Sequence, residues 1–104
     1  WDQLGARTSK VDYSTLLRSM KKRPVDYFRQ FHADTAMFGA RAATRCGLEF
    51  FGASQVLFAS DMPFDPTPGL YMRETIRVID SLDLSAEDRH SIYYGNAVRL
   101  LRPA

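Results

Sequence analysis

Apolar and polar positions along this chain predict short strands set among amphipathic helices. Val56-Leu57-Phe58-Ala59 is apolar at every position, as a strand covered on both faces is. It runs into Ser60-Asp61, after which Pro63 and Pro66 bias Met62 and Asp65 toward extended backbone, so the chain leaves as a stiff loop. Upstream, Phe31, Ala33 and Thr35 alternate with His32 and Asp34, a period-two pattern that predicts a strand over 30–35 with His32 and Asp34 on one face. Between the two, Ala40, Ala43, Cys46 or Gly47, and Phe50 or Phe51 recur at helical spacing and predict a helix over 38–51, ended by Gly52. Strand, helix and strand in that order make a βαβ unit: parallel strands joined by a right-handed crossover.

The flanks read as helices. Asp12 is placed to cap a helix to about Lys22, with Leu16, Leu17 and Met20 as its inner stripe. Pro24 opens a short helical turn, and Tyr27, Phe28 and Phe31 are expected to point inward. After the proline-rich loop, Ile76, Ile79 and Leu82 line one side of a helix over 71–82, with Arg73, Glu74, Arg77 and Asp80 on the remainder. Ser85 caps a helix over 86–94, Gly95 breaks it, Asn96 caps a last helix over 97–101, and Pro103 stops the chain. Residues 1–10 form an irregular lead-in, and no repeat or low-complexity segment is present.

Composition narrows the class. With 104 residues, 45% hydrophobic and 25% charged, the chain suits one globular unit over 1–104 with no second domain. It is far short of the roughly 250 residues of a (β/α)8 barrel. A formal charge of +2 is slight. Lys21-Lys22-Arg23, the one basic cluster, reads as a solvated helix end, so no nucleic-acid partner is expected. The single cysteine, Cys46, allows no internal disulfide, suits a reducing, cytoplasmic setting and reads as a packing residue. Nothing approaches the ~18 apolar residues of a membrane span, and no signal peptide opens the chain. The first residue is Trp1 rather than Met, as in an excised piece of a longer sequence.

Candidate chemistry gathers at the strand ends. Asp61 has two readings: a cap for the loop that follows, or a carboxylate outside the carboxyl edge of the sheet, where α/β proteins place their chemistry. His32 and Asp34 are polar groups in an apolar neighbourhood, hence either paired or functional. His32 is read as an ordinary hydrogen-bonded or exposed histidine or as a metal ligand. His90 falls among charged residues on the closing helix and is expected to be exposed.

Three blocks in order carry a resemblance: Phe31-His32-Ala33-Asp34-Thr35-Ala36, Gly47-Leu48-Glu49-Phe50-Phe51-Gly52, and Val56 through Pro63 with its Ser60-Asp61-Met62-Pro63 element. Together with Ile92-Tyr93-Tyr94-Gly95-Asn96-Ala97-Val98-Arg99-Leu100-Leu101, they resemble the C-terminal part of amidohydrolase-related enzymes, in the branch of the aminocarboxymuconate-semialdehyde decarboxylases and aromatic-acid decarboxylases. The resemblance implies an α/β fold, the βαβα portion (strands 7 and 8 plus helices) of a TIM (β/α)8 barrel. It also implies a divalent metal, zinc foremost, with Asp61 as metal ligand and catalytic group. His32, Asp34 and Phe64 would line the pocket for a small carboxylated or cyclic substrate that is decarboxylated or hydrolysed. The family's remaining ligands, a His-x-His and two further histidines, are absent from a chain whose only histidines are His32 and His90. The isolated chain is therefore expected to be inactive and to need the N-terminal barrel portion. The alternative is a non-catalytic α/β module that completes its sheet by homo-oligomerisation or with a partner.

Overall fold

The computed structural model describes residues 12–102, which fall into two compact units, one ending at Phe31 and the other beginning at His32. The lead-in over 1–10 and the stop at Pro103 lie outside the described residues.

The first unit holds α1 (Ser14–Ser19) and α2 (Pro24–Phe28). Asp12 accepts a hydrogen bond from the Ser14 amide at 2.8 Å, but Tyr13 is the capping position and the helix ends well before Lys22. Pro24 opens α2 as expected, at a position whose amide has no partner within the helix. The inward stripe does not form. Leu16, Phe28 and Phe31 are 51%, 58% and 63% exposed, and no described residue of this unit is buried. Helices of six and five residues are too short to present a stripe wide enough to close a core.

The second unit is built on β1 (Ala33–Asp34) and β2 (Val56–Leu57), paired in parallel with Ala33 opposite Val56. Both strands are shorter than the sequence pattern, because the ladder holds only where backbone groups of both chains face each other. Between them runs α3 (Arg41–Phe51), which starts later than predicted: Phe38 and Gly39 sit in a turn at φ 52° and 81°. Gly52 ends it at φ 82°, a conformation open to glycine. Then follow α4 (Leu70–Ser81) and a continuous closing helix of α5 (Ala86–His90), a π turn over Ser91–Gly95 and α6 (Asn96–Leu101).

Val56, Ile79 and Ile92 centre the core, with Leu48, Phe51, Phe58 and Tyr93 packed around them. The inner face of α4 is Thr75, Val78 and Ile79, while Ile76 is 37% exposed, one helical position off the predicted stripe. Cys46 is exposed, because the face of α3 toward the core is that of Thr44, Leu48 and Phe51. The Arg89 guanidinium donates to the Ile79 and Leu82 carbonyls at 2.8 and 3.2 Å and so closes the end of α4.

The closing helix departs most from expectation. Ser85 caps it, accepting from the Asp88 amide at 3.0 Å, but Gly95 does not break it and Asn96 does not cap its last part. The π turn carries the helix through Gly95 at φ −61°, and Asn96 is fully buried. Its amide donates to the Ala53 and Val56 carbonyls, both at 2.7 Å. The Ile92 carbonyl accepts from the Phe58 amide at 2.9 Å. Leu57 bonds toward β1, accepting from the Thr35 amide, so Val56 and Phe58 face the outer edge of β2. Helix backbone and an asparagine side chain thus take the groups that a further strand would use.

Tyr93 on this helix donates its hydroxyl to Asp80 at 3.0 Å. Burial, then the Asp80 hydrogen bond and charge, push its pKa from 10.0 up to about 12. The folded state therefore holds a proton that the unfolded chain has released, and this contribution to stability is lost as pH rises from 10.0 to about 12. Tyr93→Phe is expected to flatten the fall in stability across that range, measured by urea unfolding at stepped pH. An unchanged slope would remove Tyr93 as its source.

Candidate functional site at the carboxyl edge of the strands

The register sets the site. His32 precedes β1, so it stands at the amino edge of the strand pair, whereas Asp61 lies beyond the carboxyl edge of β2. Asp34 closes β1, level with Leu57. The strands thus bring Asp34 and the Asp61 loop to the same edge and leave His32 at the other. All three side chains are exposed, and Phe64, on the loop after Asp61, is 78% exposed.

The two strand-end aspartates behave differently. Asp34 accepts from the Ala36 amide at 2.8 Å, a local turn that spends one carboxylate oxygen on the backbone. Asp61 does not cap its loop. Its backbone carbonyl accepts from the Phe64 amide at 3.1 Å, and its carboxylate has no hydrogen bond among the described residues. The residue sits at φ 61°, in the left-handed region that aspartate tolerates better than most side chains. The next peptide but one, Met62–Pro63, is cis. Asp65 anchors the far side of the loop, its carboxylate accepting from the Tyr71 amide at 3.3 Å in the first turn of α4.

Two residues of the site escape the sequence reading. Alternation places Thr35 on the apolar face of the first strand, and it is 2% exposed there. Its hydroxyl donates to the Ala59 carbonyl at 2.8 Å and accepts from the Ala59 amide at 3.0 Å. The available signal was a hydroxyl at an inward position, which must find partners once buried. Phe38, in the turn after β1, packs its ring 4.7 Å from that of Tyr71. That contact ties the two strand-end loops together, and alternation offers no hint of it.

Among the described residues no three His, Cys, Asp or Glu side chains stand together as metal ligands. Asp61, exposed and unengaged, fits as one oxygen ligand of a divalent ion, but the described residues do not complete a ligand set. Two open concavities of about 680 and 540 Å³ lie elsewhere, one along Tyr94 and Val98 and one along Arg45 and Leu82, and Asp61 lines neither. Among the described residues no helix is long and apolar enough to cross a membrane.

In α/β folds ligands bind outside the carboxyl ends of parallel strands, and the Asp61 carboxylate lies past that edge of β2. The amidohydrolase family model matches residues 5–102, and the chain belongs to that family. Over 50 residues it is 44% identical to a 2-keto-4-carboxy-3-hexenedioate hydratase of Sphingobium sp. (strain NBRC 103272 / SYK-6), covering 43% of this chain and 15% of that protein. The structure resembles 5-carboxyvanillate decarboxylase from Sphingomonas paucimobilis, with TM-score 0.64 and 28% identity, over 81% of this chain and 24% of that one. It shares its fold with 2,6-dihydroxybenzoate decarboxylase from Rhizobium, with TM-score 0.60 and 23% identity, over 88% of this chain and 29% of that one. The family's fold is a TIM barrel, and this chain corresponds to part of one. It spans about a quarter of the length of these solved relatives.

Proposed function

We propose that residues 1–104 form one part of one barrel, with β1 and β2 as its seventh and eighth strands. The protein that carries them is a divalent-metal-dependent lyase or hydrolase acting on a small carboxylated substrate. The observation that supports this best is the Asp61 carboxylate, exposed beyond a parallel strand and free of hydrogen bonds among the described residues. In this reading Asp61 is a metal ligand and the group that takes up and returns a proton at its carboxylate oxygens. Asp34, with one oxygen still open, and the Phe64 ring line the mouth and orient the substrate. His32, at the amino edge, is the most remote of the proposed substrate-binding residues. The ion, zinc foremost, supplies Lewis acidity and a water of lowered pKa when bound, and its other ligands come from the rest of the barrel. The compartment we propose is the cytoplasm.

The relatives named above are decarboxylases and a hydratase, so the substrate class divides into aromatic carboxylates and unsaturated keto acids. The test is to supply the protein carrying a complete barrel with each class and to follow CO2 release and water addition. We expect one of the two reactions, suppressed by a chelator and restored by zinc. Neither reaction with either class would overturn the assignment.

The occupied outer edge of β2 favours a second reading. Val56 and Phe58 already have partners in Asn96 and Ile92, so the chain covers one edge of its own sheet as a non-catalytic module would. Its exposed Phe28, Phe31 and Leu101 would then meet a second copy or another protein. Light scattering together with urea unfolding of the chain alone separates the two. A folded, cooperative species without metal supports the module, and an unfolded chain supports the barrel.

A further inference from the structure

We propose that Thr35 is a positioning residue for Asp61, acting through the backbone at Ala59 just past β2; this rests on the reading of Asp61 as a metal-facing carboxylate. The two strands part company at Thr35. The last ladder bond runs from its amide to the Leu57 carbonyl, at 3.1 Å. Its own carbonyl then accepts from the Met37 amide at 2.7 Å, and Asp34 holds the Ala36 amide, so β1 curls away. Ala59 has the same parity as Leu57 and faces β1, and a continued ladder would have satisfied both its backbone groups. A single hydroxyl does so instead, donating to the Ala59 carbonyl and accepting from its amide.

That clasp lies two positions before Asp61, with the buried Ser60 between them. On the other side the Phe64 amide closes a turn onto the Asp61 carbonyl. The Asp61 carboxylate has no hydrogen bond of its own among the described residues, so its reach is fixed by where the backbone holds its Cα. The clasp restrains that backbone on one side and the Phe64 turn on the other. Threonine serves because its hydroxyl is donor and acceptor at once, while its methyl fills the buried side of the strand. Valine has the same shape and neither function.

The test uses the protein carrying a complete barrel, with zinc alone as the metal probe. Thr35→Val is expected to weaken zinc affinity, measured by chelator competition, by about 10-fold to 100-fold, the range for groups that orient a ligand from behind. It should lower kcat more than it changes KM, and Thr35→Ser should restore both. Should Thr35→Val fail to fold, Thr35→Ala, which removes the hydroxyl without adding a zinc-binding group, is expected to show the same losses. Wild-type zinc affinity in the valine or alanine variant, or no rescue by serine, would overturn the proposal. Asp61→Ala separates the two claims. If it leaves zinc binding intact, the reading of Asp61 fails. If it abolishes binding while Thr35→Val keeps wild-type zinc affinity, Thr35 alone is wrongly assigned.

Discussion

On the proposed reading of Asp61, Asp61→Asn in the protein carrying a complete barrel is expected to cut turnover by about 10²–10⁴-fold, the range for losing a positioned proton-transfer group, while leaving the unfolding midpoint unchanged. The structure separates these effects. Asp61 is exposed and its carboxylate has no hydrogen bond among the described residues, so no fold energy is stored in the side chain. Asparagine also tolerates the φ of 61° that the loop requires. Exposed substitutions of this kind stay within about 0.5 kcal/mol. Asparagine keeps one acceptor oxygen but neither the charge a divalent ion favours nor the ability to take up a proton. Turnover within about threefold of the parent would remove Asp61 from the chemistry.

Asn96→Leu should destabilise the second unit by about 2–6 kcal/mol, since it strips the donors from two carbonyls at a cost of roughly 1–3 kcal/mol each. Asn96 is fully buried, and its amide is held at 2.7 Å by both the Ala53 and the Val56 carbonyl. Leucine fills a similar volume, so the deficit would come from the unpartnered carbonyls rather than from a cavity. Asn96→Asp should be at least as damaging, because it turns an acceptor toward each carbonyl. Urea unfolding of the protein measures both. A loss below about 0.5 kcal/mol for the leucine variant would mean that β2 finds its partners elsewhere. Because Asn96 is remote in sequence from Asp61, its effect on kcat should follow the loss of folded protein alone.

The aspartate that follows the apolar run was legible because few residues fit there: four apolar positions demand a buried strand, and two prolines forbid its continuation. The helical elements of the second unit were legible for the same reason, since periodicity reports which positions must leave water. Their limits were not. The pattern does not reveal where a ladder runs out of partners, so a strand over 30–35 contracts to Ala33–Asp34. Gly95 reads as a break on local propensity, which is a weak term of about 1 kcal/mol. Tertiary hydrogen bonds from Ile92 and Asn96 to β2 outweigh it and carry the helix through as a π turn.

Taken alone, the sequence determined the parallel strand–helix–strand order, the family, and Asp61 as the residue to examine, since each depends on local pattern or on residue identity. Only the tertiary structure decided which strand-end aspartate is spent on its own loop and which is free. It alone turned Thr35 from a core residue into a clasp and Asn96 from a cap into the partner of a sheet edge. Hydrogen bonds between residues 24 and 40 positions apart made the choices at Thr35 and Asn96, and no local window contains both partners.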